Sequence, residues 1–232
     1  MNTSDVLALL EQNQNERGLA HWAKFKHTGG LKSFGIGLTQ LRKLAKKVGR
    51  NHELALELWQ TDNHDAKIIG LLIDEPKKIT REQAEAQVEG LGIGSLTHVF
   101  SSCDATLAKA PIAFDVAKKW LDSDHKLRRQ SAYGLVYELS KNKRNKNLTD
   151  EFFVDCINRI EAEIGNESGN VKSTMGGALM GIGKRNKVLN QRAILVATKI
   201  GPIDFNEDGG TCDPFNVLKH LTTDSLKDKL GI

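Results

Sequence analysis

The sequence predicts an all-α fold built as a helical-repeat solenoid, and three observations carry that reading. Apolar residues recur mainly three and four positions apart, alternating strand patterns are nearly absent, and the chain aligns with itself over a helix–turn–helix stretch. A first helix starts after Thr3-Ser4 and runs from Asp5 to Leu10. The next spans Leu38 to Val48, where Leu38, Leu41, Leu44, Ala45 and Val48 fall on one stripe. The same pattern then predicts helices over Glu53 to Trp59, His64 to Ile73, Thr80 to Leu91, Leu96 to Lys109 and Ile112 to Leu121. Further helices follow over His125 to Ser140, Thr149 to Ile164, Val171 to Ile182 and Leu189 to Ile200. Between them lie short polar or glycine- and proline-bearing breaks: Thr61-Asp62-Asn63, Glu75-Pro76, Gly92-Ile93-Gly94, Ala110-Pro111, Asp122-Ser123-Asp124 and Gly165-Asn166. Connections this short place successive helices antiparallel, as stacked helical hairpins.

The internal alignment sets the repeat. Trp59 to Leu72 superposes without gaps on Trp120 to Tyr133, which brings His64 onto His125, Lys67 onto Arg128 and Gly70 onto Ser131. A weaker third copy begins near Asn166, with Lys172 on Arg128 and Gly176 on Ala132. Each copy reads as a helix, a polar turn, and a second helix whose first turn carries a cation and whose next turn carries small residues. Such a unit resembles a HEAT-like repeat, an α-α superhelix in which the second helices line the inner face. Lys67, Arg128, Arg129 and Lys172 are therefore expected on one concave surface, and residues 1–232 are expected to form a single HEAT-like domain.

Composition narrows the class without naming a partner. With 232 residues, 39% hydrophobic and 27% charged, the chain is ordinary globular material and neither disordered nor collagen-like. A net charge of +4 is too small to announce a nucleic-acid binder, so any basic footprint has to come from clustering. Cys103, Cys156 and Cys212 are odd in number and far apart, which argues against a disulfide framework and for a reducing, cytoplasmic setting. The first residues lack a basic n-region, and no run of about 20 apolar residues occurs, so neither secretion nor membrane spanning is expected.

Few segments offer chemistry. Gly35-Ile36-Gly37 and Gly92-Ile93-Gly94 lack the length and the preceding strand of a phosphate-binding loop, and GxSxG, HExxH and CxxC are absent. Cys212 lies in the turn-like Gly209 to Pro214 beside Asp204 and Asp208, but without a nearby histidine pair it reads as a small packing residue, and no metal or cofactor is expected. His64 and His125, at equivalent repeat positions near helix starts, read as local capping or hydrogen-bonding residues. Arg42, Lys43, Lys46 and Lys47 read as the exposed face of their helix, and Lys141, Lys143, Arg144 and Lys146 as a solvated loop. In Leu96 to Ala108, Phe100 and Asp104 are four apart and share a face of the predicted helix. Spacing alone favours the alternative, an aspartate facing solvent or capping a helix that starts at Ala105.

Several segments together resemble a known family. Phe34 to Ala45, Glu57 to Trp59, Phe100 to Asp104, and Lys119 to Asp124 leading into Arg128-Arg129 occur in the order seen in AlkD-like DNA alkylation repair proteins, over residues from about 15 to about 190. The resemblance implies a HEAT-like solenoid gripping alkylated or distorted duplex DNA, as a cofactor-free monomer, and hydrolysing the N-glycosidic bond of alkylated purines. It makes Asp104 the catalytic carboxylate, puts Phe100 in the place of a tryptophan, and makes Arg129, or Arg128, a contact to the DNA backbone. Gly177 stands where the family has a second tryptophan. A HEAT-like module that binds branched or distorted nucleic acid, or a protein, without catalysis is the rival reading.

Overall fold

The computed structural model describes residues 1–25, 27–92, 95–206 and 212–232; the breaks at Ile93 and Gly94 and the stretch through Asp208, Gly209 and Thr211 lie outside them. Among the described residues the regular secondary structure is helical, with isolated bridges and no strands, and they divide into two compact units, Met1–Ile112 and Ala113–Ile232. In the first unit the helices are α1 (Thr3–Glu11), α2 (Glu16–Trp22), α3 (Leu38–Val48), α4 (His52–Trp59), α5 (His64–Ile73), α6 (Arg81–Val88) and α7 (Leu96–Ser101). In the second they are α8 (Ala113–Leu121), α9 (Lys126–Ser140), α10 (Asp150–Glu163), α11 (Gly169–Gly183), α12 (Lys187–Ile200), α13 (Val217–Leu221) and α14 (Asp224–Leu230).

Caps explain where many of these helices begin. The side chains of Asn15, Asn51, Asn63, Thr80, Thr149 and Asn186 each accept a backbone N–H of the first turn, and Asn2 with Asp5 forms a reciprocal capping box. The internal repeat is structural. Trp59 closes α4 ahead of α5, Trp120 closes α8 ahead of α9, and both indoles are buried. α10 and α11 make the third such pair. Small residues allow close approach, as the repeat predicts: a Cβ on Gly70 of α5 would lie 2.8 Å from the Ala55 carbonyl of α4, and one on Gly181 of α11 would meet Tyr137 and Ser140 of α9 at 2.7 Å. Helices α2, α13 and α14 are additions to the predicted set, and the predicted Leu96–Lys109 helix is interrupted.

The core of the second unit contains two groups that resist ionisation. Burial pushes the Cys156 thiol of α10 up to about 12 from an ordinary 9.0, and it also raises Tyr133 of α9, whose buried hydroxyl has no hydrogen-bond partner among the described residues. As pH rises past 9.0 the unfolded thiol ionises while the folded one does not, so stability is intact below that pH and falls toward about 12. Between pH 8 and pH 10 the parent should lose about 1.4 kcal/mol more than Cys156→Val, read from urea melts at the two pH values. Equal losses in parent and variant would exclude Cys156 as the source.

Candidate nucleic-acid interface

In the first unit the site is built around a turn. α7 stops at Ser101, and the chain reverses through Ser102 to Ala105 with φ of 57° at Cys103 and 64° at Asp104, closed by the Ala105 N–H donating to the Ser102 carbonyl at 3.0 Å. Two successive left-handed residues describe a type I′-like turn, a conformation that costs L-residues about 1–2 kcal/mol each and is best tolerated by aspartate or asparagine. The expected shared face of Phe100 and Asp104 is thereby corrected. Phe100 stays helical and points into the core at 2% exposure, whereas Asp104 leaves the helix and is exposed. The buried ring leaves no face to offer to a base.

Arg42 of α3 holds this turn, donating to the Cys103 carbonyl at 3.0 Å and to its Sγ at 2.7 Å. Arg50 donates to the carbonyls of Leu72 and Asp74 and to Thr106 Oγ1, so its guanidinium closes the exposed C-terminal end of α5. Between them opens a cleft of about 470 Å³ lined by Arg42, Lys46, Arg50, Leu72, Cys103 and Asp104. Lys43, Lys46 and Lys47 are exposed on α3 as expected, whereas Arg42, expected on the same exposed face, is half-buried because it bonds the Cys103 turn.

Lys67, predicted as a DNA contact, is half-buried on α5. Its ammonium donates to the Trp59 carbonyl and lies 4.6 Å above the Trp59 ring, and burial lowers its pKa. That geometry ties α5 back to α4. His64 packs its ring 4.7 Å from that of Trp22, with Nδ1 3.5 Å from Asp65 Oδ1, while the cap, one of the two roles expected of the histidine, is supplied by Asn63. His125 sits at the N-cap of α9 without a side-chain capping bond.

In the second unit Arg128 and Arg129 begin α9. Arg129 is held as a fork: Nε and Nη2 meet the Glu167 carboxylate at 2.5 and 2.9 Å, and Nη1 donates to the Ser123 carbonyl at 2.9 Å. The Glu167 hydrogen bond raises its pKa against the desolvation that would lower it. Arg128 is half-exposed in the same turn, as is Lys172 in the first turn of α11. Gly177, further along α11, would place a Cβ in open space. Gly176 is instead covered: its Cβ would strike Ile203 Cδ1 at 2.6 Å and Phe215 Cδ1 at 2.9 Å, and those two residues pair as an antiparallel bridge. Ile203 and Phe215 thus lie against α11, and Cys212 is exposed with its backbone bonded to the Asn206 side chain.

Residues 6–200 match the model of the DNA alkylation repair enzyme family. The chain belongs to that family. It is 25% identical over 193 residues to an uncharacterized protein of Listeria innocua, covering 82% of this chain and 83% of that one. A Listeria monocytogenes counterpart, also uncharacterized, is 24% identical over 196 residues, again covering 82% and 83%. Among solved structures, one superposes with a TM-score of 0.84 at 24% identity, over all of this chain and 97% of the other. It represents a family related to the HEAT-like repeat DNA glycosylases, with affinity for branched DNA structures. The likeness establishes the HEAT-like fold predicted from the repeat.

Proposed function

We propose that the protein binds distorted or branched double-helical DNA, as a cofactor-free cytoplasmic monomer, and does not excise bases. The observation that carries this reading is the loss of both aromatic faces: Phe100 is buried, and Gly177 presents bare backbone where the family places an indole. Stacking is worth about 1–3 kcal/mol per base, and neither of these two positions supplies it. What remains suits recognition of phosphates and of DNA shape, with exposed lysines on α3 and half-exposed Arg128 and Lys172 in the second unit. The affinity for branched DNA of the structurally similar protein agrees with that chemistry.

Asp104 favours a second reading, glycosylase activity, because it presents an exposed carboxylate at the mouth of the Arg42 cleft. Alkylation gives the purine a positive charge and makes it a good leaving group, so one preorganised carboxylate could stabilise the developing sugar cation and orient water. The test pairs a base-release assay on methylated duplex with fluorescence anisotropy on a four-way junction and an equal-length duplex. We expect no base release, tighter binding to the junction, and undiminished affinity in Asp104→Asn, since the substitution removes repulsion from phosphates. Base release by the parent that falls by on the order of 10²-fold in Asp104→Asn, with affinity retained, would establish the glycosylase instead.

A further inference from the structure

The loop joining α9 to α10 carries Lys143, Arg144 and Lys146, all exposed, and among the described residues none of the three has a carboxylate within 4.0 Å. A loop that serves only solubility has no need of fixed geometry, yet this one is pinned from both sides. Arg185, at the end of α11, donates to the carbonyls of Ser140 at 2.8 Å, Asn142 at 2.8 Å and Leu148 at 3.0 Å, with its guanidinium 4.8 Å above the Phe153 ring. Inside the loop, Asn142 Oδ1 accepts the backbone N–H groups of Arg144 and Asn145 at 2.9 and 3.3 Å, and Asn145 Oδ1 accepts that of Asn147 at 3.0 Å.

The neighbouring charges are already engaged. Lys141 binds both oxygens of Glu138 at 2.9 Å and covers the Tyr137 ring, while Asp150 is held by the Asn186 amide at 2.9 and 3.0 Å. Glu151 remains an exposed carboxylate in the first turn of α10. Three cations within four residues, on backbone fixed beforehand, form a surface for a regularly spaced polyanion, because ordering entropy is not lost on binding. The loop from Lys141 to Asn147 itself contains no aromatic or apolar residue to stack an unpaired base or anchor a protein partner.

We infer that this loop of the second unit, clamped by Arg185, is a contact surface for the phosphate backbone of duplex DNA. The inference rests on the DNA-binding reading above and adds a contact that reading does not include. It is tested by replacing Lys143, Arg144 and Lys146 together with glutamine and titrating a labelled duplex and a four-way junction over a range of NaCl. The triple variant should melt like the parent, bind at least about tenfold more weakly at low salt, and show a log–log salt slope shallower by about 2–3, near 0.9 per lost phosphate contact. Arg185→Gln keeps all three cations but frees the loop, and should weaken binding with a smaller change in slope. If the parent binds DNA and the triple variant matches it in affinity and slope, or weakens without a change in slope, this inference is overturned while the DNA-binding reading stands. If the parent binds neither DNA, both fall.

Discussion

Replacing Gly35 by alanine should destabilise the protein by more than about 4 kcal/mol, an effect large enough to prevent accumulation of folded protein. Gly35 has a φ of +70°, which alone costs an alanine about 1–2 kcal/mol. The remainder comes from contact with backbone that cannot yield. A Cβ at Gly35 would lie 2.3 Å from the Leu19 nitrogen and 2.7 Å from the Asn15 carbonyl, and one at Gly18 would lie 1.8 Å from the Gly35 carbonyl. α2 and the segment before α3 therefore touch backbone to backbone, joined also by the Asn15 N–H donating to the Phe34 carbonyl at 2.9 Å. The same segment is anchored from α5, whose buried Asp65 carboxylate accepts the Ser33 hydroxyl at 2.8 Å and the Phe34 N–H at 2.6 Å. Gly30→Ala is the matched control: its φ is +80°, but nothing lies within 4 Å of the added carbon, so only the conformational cost of about 1–2 kcal/mol should appear. Equal losses in the two variants, measured by thermal melts, would refute the close-approach account.

Gly35 also marks where the sequence is legible. The sequence sets Gly35-Ile36-Gly37 aside as a phosphate loop, and the reason for glycine at Gly35 is a contact with Gly18, seventeen positions away, which no local pattern records. The repeat is legible because Trp59 and Trp120, with the small residues after them, are core packing that recurs in register. α2 is not, because none of its side chains is fully buried and its closest approach to the chain is made by glycine backbone; the Asn15 cap followed by Glu16 is the available signal. The break after Ser101 is hidden for a related reason. Apolar spacing runs on from Leu96 through Val99 and Phe100 to Leu107, and the left-handed turn uses Cys103 and Asp104 where glycine would have announced it. That single turn separates Asp104 from Phe100. Cations are more legible than their partners: Lys67 and Arg129 stand out as charged residues at helix starts, but their bonds to Trp59 and Glu167 depend on how helices pack.

Glu167→Ala should destabilise the protein by about 2–3 kcal/mol and, on the DNA-binding reading, tighten its hold on DNA. The Arg129–Glu167 pair is bidentate and its side chains are only 22% and 10% exposed, so removing the carboxylate leaves a largely desolvated guanidinium with the Ser123 carbonyl as its remaining acceptor from this set. Full burial would give about 3–5 kcal/mol, and partial exposure reduces that figure. Asp122, Asp124 and Glu163 line the same cleft with Arg159, itself bonded to Asp122 at 2.7 Å, so part of the loss is recovered if Arg129 turns toward them. The substitution also removes a negative charge and makes the Arg129 guanidinium available to phosphate, so the salt slope should steepen by up to about 0.9. Arg129→Gln separates the two effects: it should destabilise comparably and leave the slope within about 0.3 of the parent, because the guanidinium is occupied by Glu167 in the parent protein. A slope that falls by a full contact in Arg129→Gln, with no loss of thermal stability, would mean that Arg129 leaves Glu167 to engage DNA directly, and the ion pair would then be a resting position.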